Sequence, residues 1–215
     1  MRLRKHSKAK EILAKFEEFV ITSGFDKHKG HWRNNFKNKD LPLYVELGTG
    51  KGKFITEMAQ KYKNEANFIG IEAHTEVILQ AAKKTSLVDT SNLKLFLFNA
   101  NYILDIFATN EVDRFYINFC DPWPKNRTTK RRLTHKNFIE KYHAILKPKG
   151  EIFFKTDNKD LFEFSLNEFA NYNAKISNIT FDLHQSNIKE NVLTEYETKF
   201  SLKGIKICRA EFRFN

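Results

Sequence analysis

Two spacings of apolar residues take turns along the chain. Stretches rich in apolar residues, continuous in some and alternating with polar ones in others, occur at residues 43–47, 67–71, 93–98, 112–120, 151–155, 175–183 and 205–214. They are short, rich in Val, Ile, Phe and Tyr, and mostly bounded by Gly, Pro, Asn or Asp, which is how strands read. Between them apolar residues return at three- and four-residue intervals. Phe54, Ile55, Met58, Ala59 and Tyr62 do so, then Val77, Ile78, Ala81 and Ala82, then residues 102–107. Phe138, Ile139, Tyr142, Ile145 and Leu146 form another such set, and residues 161–172 the last. These predict helices, and Pro148 and Gly150 are read as ending the one over 138–146. Nearer the start, Ile12, Leu13, Phe16, Phe19 and Val20 also keep helical spacing. Strands alternating with helices predict an α/β domain over residues 41–215. Residues 1–40 are read as a basic arm containing one helix that packs on the body.

The junction between the first strand and its helix reads Glu46-Leu47-Gly48-Thr49-Gly50-Lys51-Gly52-Lys53-Phe54. Gly48, Gly50 and Gly52 allow a turn with φ > 0 and a close backbone approach to a ligand. Strand, glycine turn and helix open a nucleotide-binding βαβ unit. The run is not a P-loop, because no glycine is followed by Lys and then Ser or Thr. A dinucleotide fingerprint needs a small residue where Lys53 stands. Glu46 decides further: a carboxylate at the strand end costs about 4 kcal/mol against a phosphate ~4 Å away at surface-like dielectric. The same charge attracts an ammonium or a sulfonium, and S-adenosylmethionine carries both. Glu72 lies twenty residues beyond Gly52, at the end of the next strand, where an acid meets ribose hydroxyls. Asn99, at the third strand end, either hydrogen-bonds adenine or caps the following turn.

Charge changes the picture next. The chain of 215 residues has a formal net charge of +11, which suggests a polyanionic partner. Residues 1–39 hold eleven Lys/Arg against four Asp/Glu, a net of +7. Arg2, Arg4, Lys5, Lys8 and the His31-Trp32-Arg33 cluster are read either as free to meet phosphates or stack on bases, or as a solvated, partly disordered terminus. Two cysteines, Cys120 and Cys208, cannot build a disulfide framework and suit a reducing compartment. The N-terminus lacks the apolar stretch of a signal peptide, and no apolar run approaches the ~20 residues that span a bilayer. A cytoplasmic protein is expected. His28 and His31 have no further ligands nearby, so no metal site is expected.

The fourth strand runs into Cys120-Asp121-Pro122-Trp123-Pro124-Lys125, and five cations follow within the eight residues from Lys125 to Arg132. Two prolines hold the tryptophan's backbone rigid. An aromatic ring at the carboxyl end of a central strand can support a splayed base. Arg127, Lys130, Arg131 and Arg132 can then hold phosphates around it. Cys120 continues the apolar run without an activating base and is read as core rather than nucleophile.

These motifs, with Gly70-Ile71-Glu72, Asn99-Ala100, Lys130-Arg131-Arg132, Thr156-Asp157 and Thr194-Glu195-Tyr196-Glu197 followed by Lys199-Phe200, resemble the bacterial tRNA (guanine-N7)-methyltransferase family. The resemblance implies a Rossmann-like class I methyltransferase fold. Such a fold has a central, mostly parallel seven-stranded sheet with an antiparallel last strand and helices on both faces. It implies S-adenosylmethionine as cofactor, held by Glu46, Gly48, Gly50, Gly52, Glu72, Asn99 and Asp121, with Asp121 also the catalytic residue. Lys125, Asp157, Thr194, Glu195, Tyr196 and Glu197 would meet the substrate, a guanosine in the tRNA variable loop. The partner would be tRNA, with no membrane and no metal, the protein acting as a monomer or homodimer. The chain departs from the family pattern twice: Asn99 stands where Asp is frequent, and Thr128 where His is usual. Other classes consistent with the residues are a methyltransferase acting on an exocyclic base nitrogen and a non-catalytic RNA-binding protein. An NAD-dependent dehydrogenase is disfavoured by Glu46 and Lys53.

Overall fold

A computed structural model describes residues 9–89, 91–188 and 190–214. The chain divides into two compact units, Met1–Ile106 and Phe107–Asn215.

The first unit contains α1 (Ala9–Ala14), β1 (Val20–Ile21), β2 (Leu43–Leu47), α2 (Lys53–Lys61), β3 (Asn67–Glu72), α3 (Thr75–Thr85), β4 (Leu93–Leu97) and α4 (Ile103–Ile106). Its strands lie in the order β1-β4-β3-β2, and all these pairings are parallel. All six residues of β3 are buried, as a parallel strand covered on both faces requires. Leu47 pairs with Ile71, and Glu72 with Leu97. The carboxyl ends of β2, β3 and β4 are therefore level, which gathers the glycine turn, Glu72 and Asn99 at one end.

The N-terminal stretch departs from its apolar spacing. α1 stops at Ala14, and Val20 belongs to β1, paired with Leu95. β1 is an extra strand; the described residues contain eight rather than the expected seven. A two-residue strand leaves no period to detect. Trp32 is also corrected. Its ring is fully buried, edge-on to Phe96 at 5.2 Å, and its Nε1 donates to the Ile106 carbonyl at 2.6 Å. It is core, and cannot stack on a base. Arg33 donates to the Leu41 carbonyl at 2.8 Å. Arg2, Arg4, Lys5 and Lys8 lie outside the described residues.

The second unit contains β5 (Val112–Asn118), α5 (Lys136–Ile145), β6 (Leu146–Thr156), α6 (Lys159–Asn171), β7 (Lys175–Thr180), α7 (Glu195–Ser201) and β8 (Cys208–Arg213). β5 and β6 are parallel, while β8 runs antiparallel to both β6 and β7 and lies between them. The antiparallel last strand is as expected. Pro148 and Gly150 do not simply stop a helix. α5 ends at Ile145 and passes directly into β6. Both residues fall where the β5–β6 register jumps, between the Val112–Leu146 and Arg114–Glu151 pairs. Pro tolerates such an irregularity because it owes no ladder donor. β5 ends two residues before its apolar run does, because Phe119 turns to φ +51°.

Candidate functional site

In the first unit the turn after β2 is held by two backbone donors: Gly48 and Thr49 N–H both reach the Ile71 carbonyl at 2.9 Å. Gly48, Gly50 and Gly52 adopt φ of 74°, 59° and 81°, all in the left-handed region that a Cβ disfavours. The three then differ. A Cβ at Gly48 or Gly50 would meet nothing within 4 Å, whereas one at Gly52 would lie 2.7 Å from the Ala81 Cβ of α3. The first two glycines border open space for a ligand, and the third permits close helix packing.

Both predicted acids are buried at this end. Glu46 Oε2 accepts from the Thr49 hydroxyl at 2.5 Å. Glu72 Oε2 accepts from Gly50 N–H at 3.2 Å, and its Oε1 from the backbone N–H of Ala73 and His74 at 2.9 and 3.0 Å. His74 Nδ1 lies 2.9 Å from the same oxygen. Glu72 thus ties the turn after β3 to the glycine turn. Asn99 is exposed, and its Oδ1 accepts from Asn101 N–H at 3.0 Å, so it is a cap as well as a cofactor candidate.

In the second unit, the segment after β5 carries two non-glycine residues with positive φ, Phe119 at 51° and Trp123 at 40°. Such conformations cost about 1–3 kcal/mol each and persist where surroundings hold them. Phe119 N–H donates to the Lys155 carbonyl at 2.8 Å, and at Trp123 Arg132 does the holding: its Nε donates to the Pro122 carbonyl at 2.8 Å and its Nη2 to the Trp123 carbonyl at 3.2 Å. Its guanidinium also lies 4.3 Å from the Phe164 ring centroid. Arg132, expected to bind RNA, is half-buried and turns two of its five donors onto the loop. Arg131 stacks over the Trp123 ring at 5.0 Å. Asp121, Lys125, Arg127 and Lys130 are exposed. Thr128 donates its hydroxyl to the Lys125 carbonyl at 2.7 Å, closing a 3₁₀ turn over Asn126–Arg131. Burial pushes the Cys120 thiol up to about 12, which removes it as a nucleophile.

Asp157 follows β6, beside the segment that follows β5. Its Oδ2 accepts from the Tyr196 hydroxyl at 3.3 Å. The Tyr196 ring stacks on Phe200 at 4.1 Å and leans on Phe119 at 5.0 Å. Thr194 caps α7, its Oγ1 accepting from Glu197 N–H at 2.9 Å. Glu195 and Tyr196 present accessible surface, whereas Glu197 is fully buried. Its expected contact with substrate is corrected by that burial: Lys155 Nζ donates to its Oε2 at 2.8 Å and Asn191 Nδ2 to its Oε1 at 2.6 Å. His184 Nε2 lies 3.2 Å from the same Oε1. Lys155, His184 and Asn191 escaped the sequence reading. The one available signal was a lysine inside the apolar run 151–155, where a charge requires a partner. Among the described residues, no group of three or more His, Cys, Asp or Glu is placed to hold a metal, and no helix is long and apolar enough to cross a membrane.

A family model described as "Putative methyltransferase" matches residues 40–210. A tRNA (guanine-N(7)-)-methyltransferase of Clostridioides difficile (strain 630) is 50% identical over 214 residues, covering 98% of each chain. One of Streptococcus mutans is 46% identical, with 100% of each chain covered. Among solved structures, an antibiotic-related methyltransferase aligns with a TM-score of 0.63 at 18% identity, over 92% of this chain and 97% of the other. A precorrin-6y C5,15-methyltransferase of Geobacter metallireducens GS-15 aligns at 0.58 and 14% identity, over 92% and 96%. At such identities these two show the fold alone, the Rossmann-like class I methyltransferase fold.

Proposed function

We propose that this chain, which belongs to the tRNA (guanine-N(7)-)-methyltransferase family, transfers a methyl group from S-adenosylmethionine to N7 of a guanosine in tRNA. The observation that carries the reading is 46% to 50% identity along essentially the whole chain to relatives of that name. The residues fit the cofactor. Gly48 and Gly50 leave open space where a Cβ would point. Glu46 suits the ammonium end of the cofactor and Glu72 the ribose hydroxyls, with Asn99 a donor and acceptor for adenine. When bound, S-adenosylmethionine supplies an electrophilic sulfonium methyl.

The rest is positioning. Guanine N7 offers an in-plane lone pair and carries no proton at neutral pH, so no base need strip one. Asp121 orients the guanine and stabilises the positive charge that develops on its ring. Lys125, Asp157, Glu195 and Tyr196 hold the nucleoside, so that N7, methyl carbon and sulfur come into line. Arg127 and Lys130 bind phosphates, while Arg131 and Trp123 form a stacking surface. Residues 41–215 act as one catalytic domain, the target lies in the variable loop, and the protein works in the cytoplasm as a monomer or homodimer.

The test is transfer of labelled methyl from S-adenosylmethionine to unmodified tRNA, followed by digestion to nucleosides. Label is expected in 7-methylguanosine. Label in an N-methylated exocyclic amine would replace the reading with an amino-methylating enzyme. Absence of label with tRNA still bound would leave an RNA-binding protein.

A further inference from the structure

Lys155 sits at the end of β6, two residues before Asp157, and its side chain is buried at 6% exposure against a Glu197 carboxylate at 0%. An ammonium has three donors and no acceptor, and all three find partners here: Asn191 Oδ1 at 2.9 Å, the Val192 carbonyl at 3.0 Å and Glu197 Oε2 at 2.8 Å. The carboxylate is equally engaged, by Lys155, by Asn191 and by His184. All three partners of Lys155 belong to residues 191–197. The network therefore ties one segment, from inside, to the strand that carries Asp157. The segment's outward face is Tyr196, whose hydroxyl is on Asp157. Burying a charge pair rarely adds net stability over apolar residues of the same volume. A pair placed here needs another account, and geometric specification supplies it.

We propose that Lys155 is a positioning residue for the tRNA side of the reaction, clamping the segment through Glu197 so that Tyr196 meets Asp157. The proposal rests on the methyl-transfer reading above. Glu197 then acts from beneath the site and touches no substrate.

The test uses the full chain and unmodified tRNA. Lys155→Met is expected to lower kcat/KM for tRNA about tenfold to a hundredfold, with the Kd for S-adenosylmethionine unchanged. Tyr196→Phe is expected to cost about threefold to tenfold in the unaltered chain and under about twofold in Lys155→Met, because the hydroxyl is already displaced. Additive losses, or an unchanged kcat/KM in Lys155→Met, would overturn the proposal. Lys155→Met/Glu197→Leu removes both charges and guards against simple loss of folding. It is expected to regain the melting temperature of the unaltered chain but not its kcat/KM; recovery of both would make the pair a stabiliser only. Amide exchange over residues 191–201 reads the clamp without methyl transfer. It is expected to quicken about tenfold in Lys155→Met while β2 and β3 keep their protection, and unchanged exchange would sink the clamp. If the unaltered chain methylates no tRNA, the functional reading fails, and the exchange result still decides the clamp.

Discussion

At Cys120 and Asp121, neighbours in sequence, the surroundings set opposite roles. The thiol is raised from 9.0 to about 12, chiefly by burial and then by Asp121. Native protein at pH 8 should therefore resist alkylation at Cys120 and react there once unfolded; equal rates in the two states would contradict the raised thiol. Between pH 9 and 12 the unfolded chain has released a proton that the folded chain keeps, so this residue's contribution to stability falls as pH rises through that window. Asp121 is exposed and available to a ligand. Asp121→Asn should lower the single-turnover rate about tenfold to a thousandfold by weakening charge stabilisation, and an intact rate would remove Asp121 from the chemistry. Residue types at the strand ends were legible because they carry unusual chemistry: Glu46, Glu72, Asp121 and Asp157 all break apolar runs or end them. Glu197 was misplaced, and the loop contacts of Arg132 were missed, because sequence shows a charge without its partners. Glu197 turns its charge inward onto Lys155, and Arg132 binds the Pro122 and Trp123 carbonyls.

Elements built on long periodic stretches, α2, α3, α5 and α6, follow their apolar spacing closely. β1 could not be seen, since two residues have no period, and the register jump in β6 disguised Pro148 and Gly150 as a helix stop. The three glycines looked alike in sequence but serve different ends. Gly52→Ala would place its Cβ 2.7 Å from that of Ala81, adding a clash to the cost of positive φ, whereas Gly48→Ala carries the φ cost alone, about 1 kcal/mol or more. Gly52→Ala is thus expected to destabilise by at least about 1 kcal/mol more than Gly48→Ala, with Ala81→Gly restoring part of the difference. Thermal melts of the three variants check this. Equal losses without rescue would show that the α2–α3 contact is not what Gly52 serves.

Over the whole molecule, a net charge of +11 makes association with tRNA salt-dependent. Exposed and engaged cations should differ. Removing Arg127 or Lys130 should weaken tRNA binding and flatten the plot of log K against log salt by about 1 unit each. Arg132→Met should instead lower the rate of methyl transfer with the salt slope kept, because its guanidinium holds the strained loop. A slope that flattened equally in Arg132→Met would return it to the phosphate contacts. Charge alone could not separate these arginines, since composition counts cations and says nothing of what each one touches. The most direct test of the account is chemical cleavage of tRNA after reaction with the protein and S-adenosylmethionine. Borohydride reduction followed by aniline cuts the strand at 7-methylguanosine. One new cut is expected, at a guanosine of the variable loop. Methyl incorporation with no cut would contradict transfer to N7.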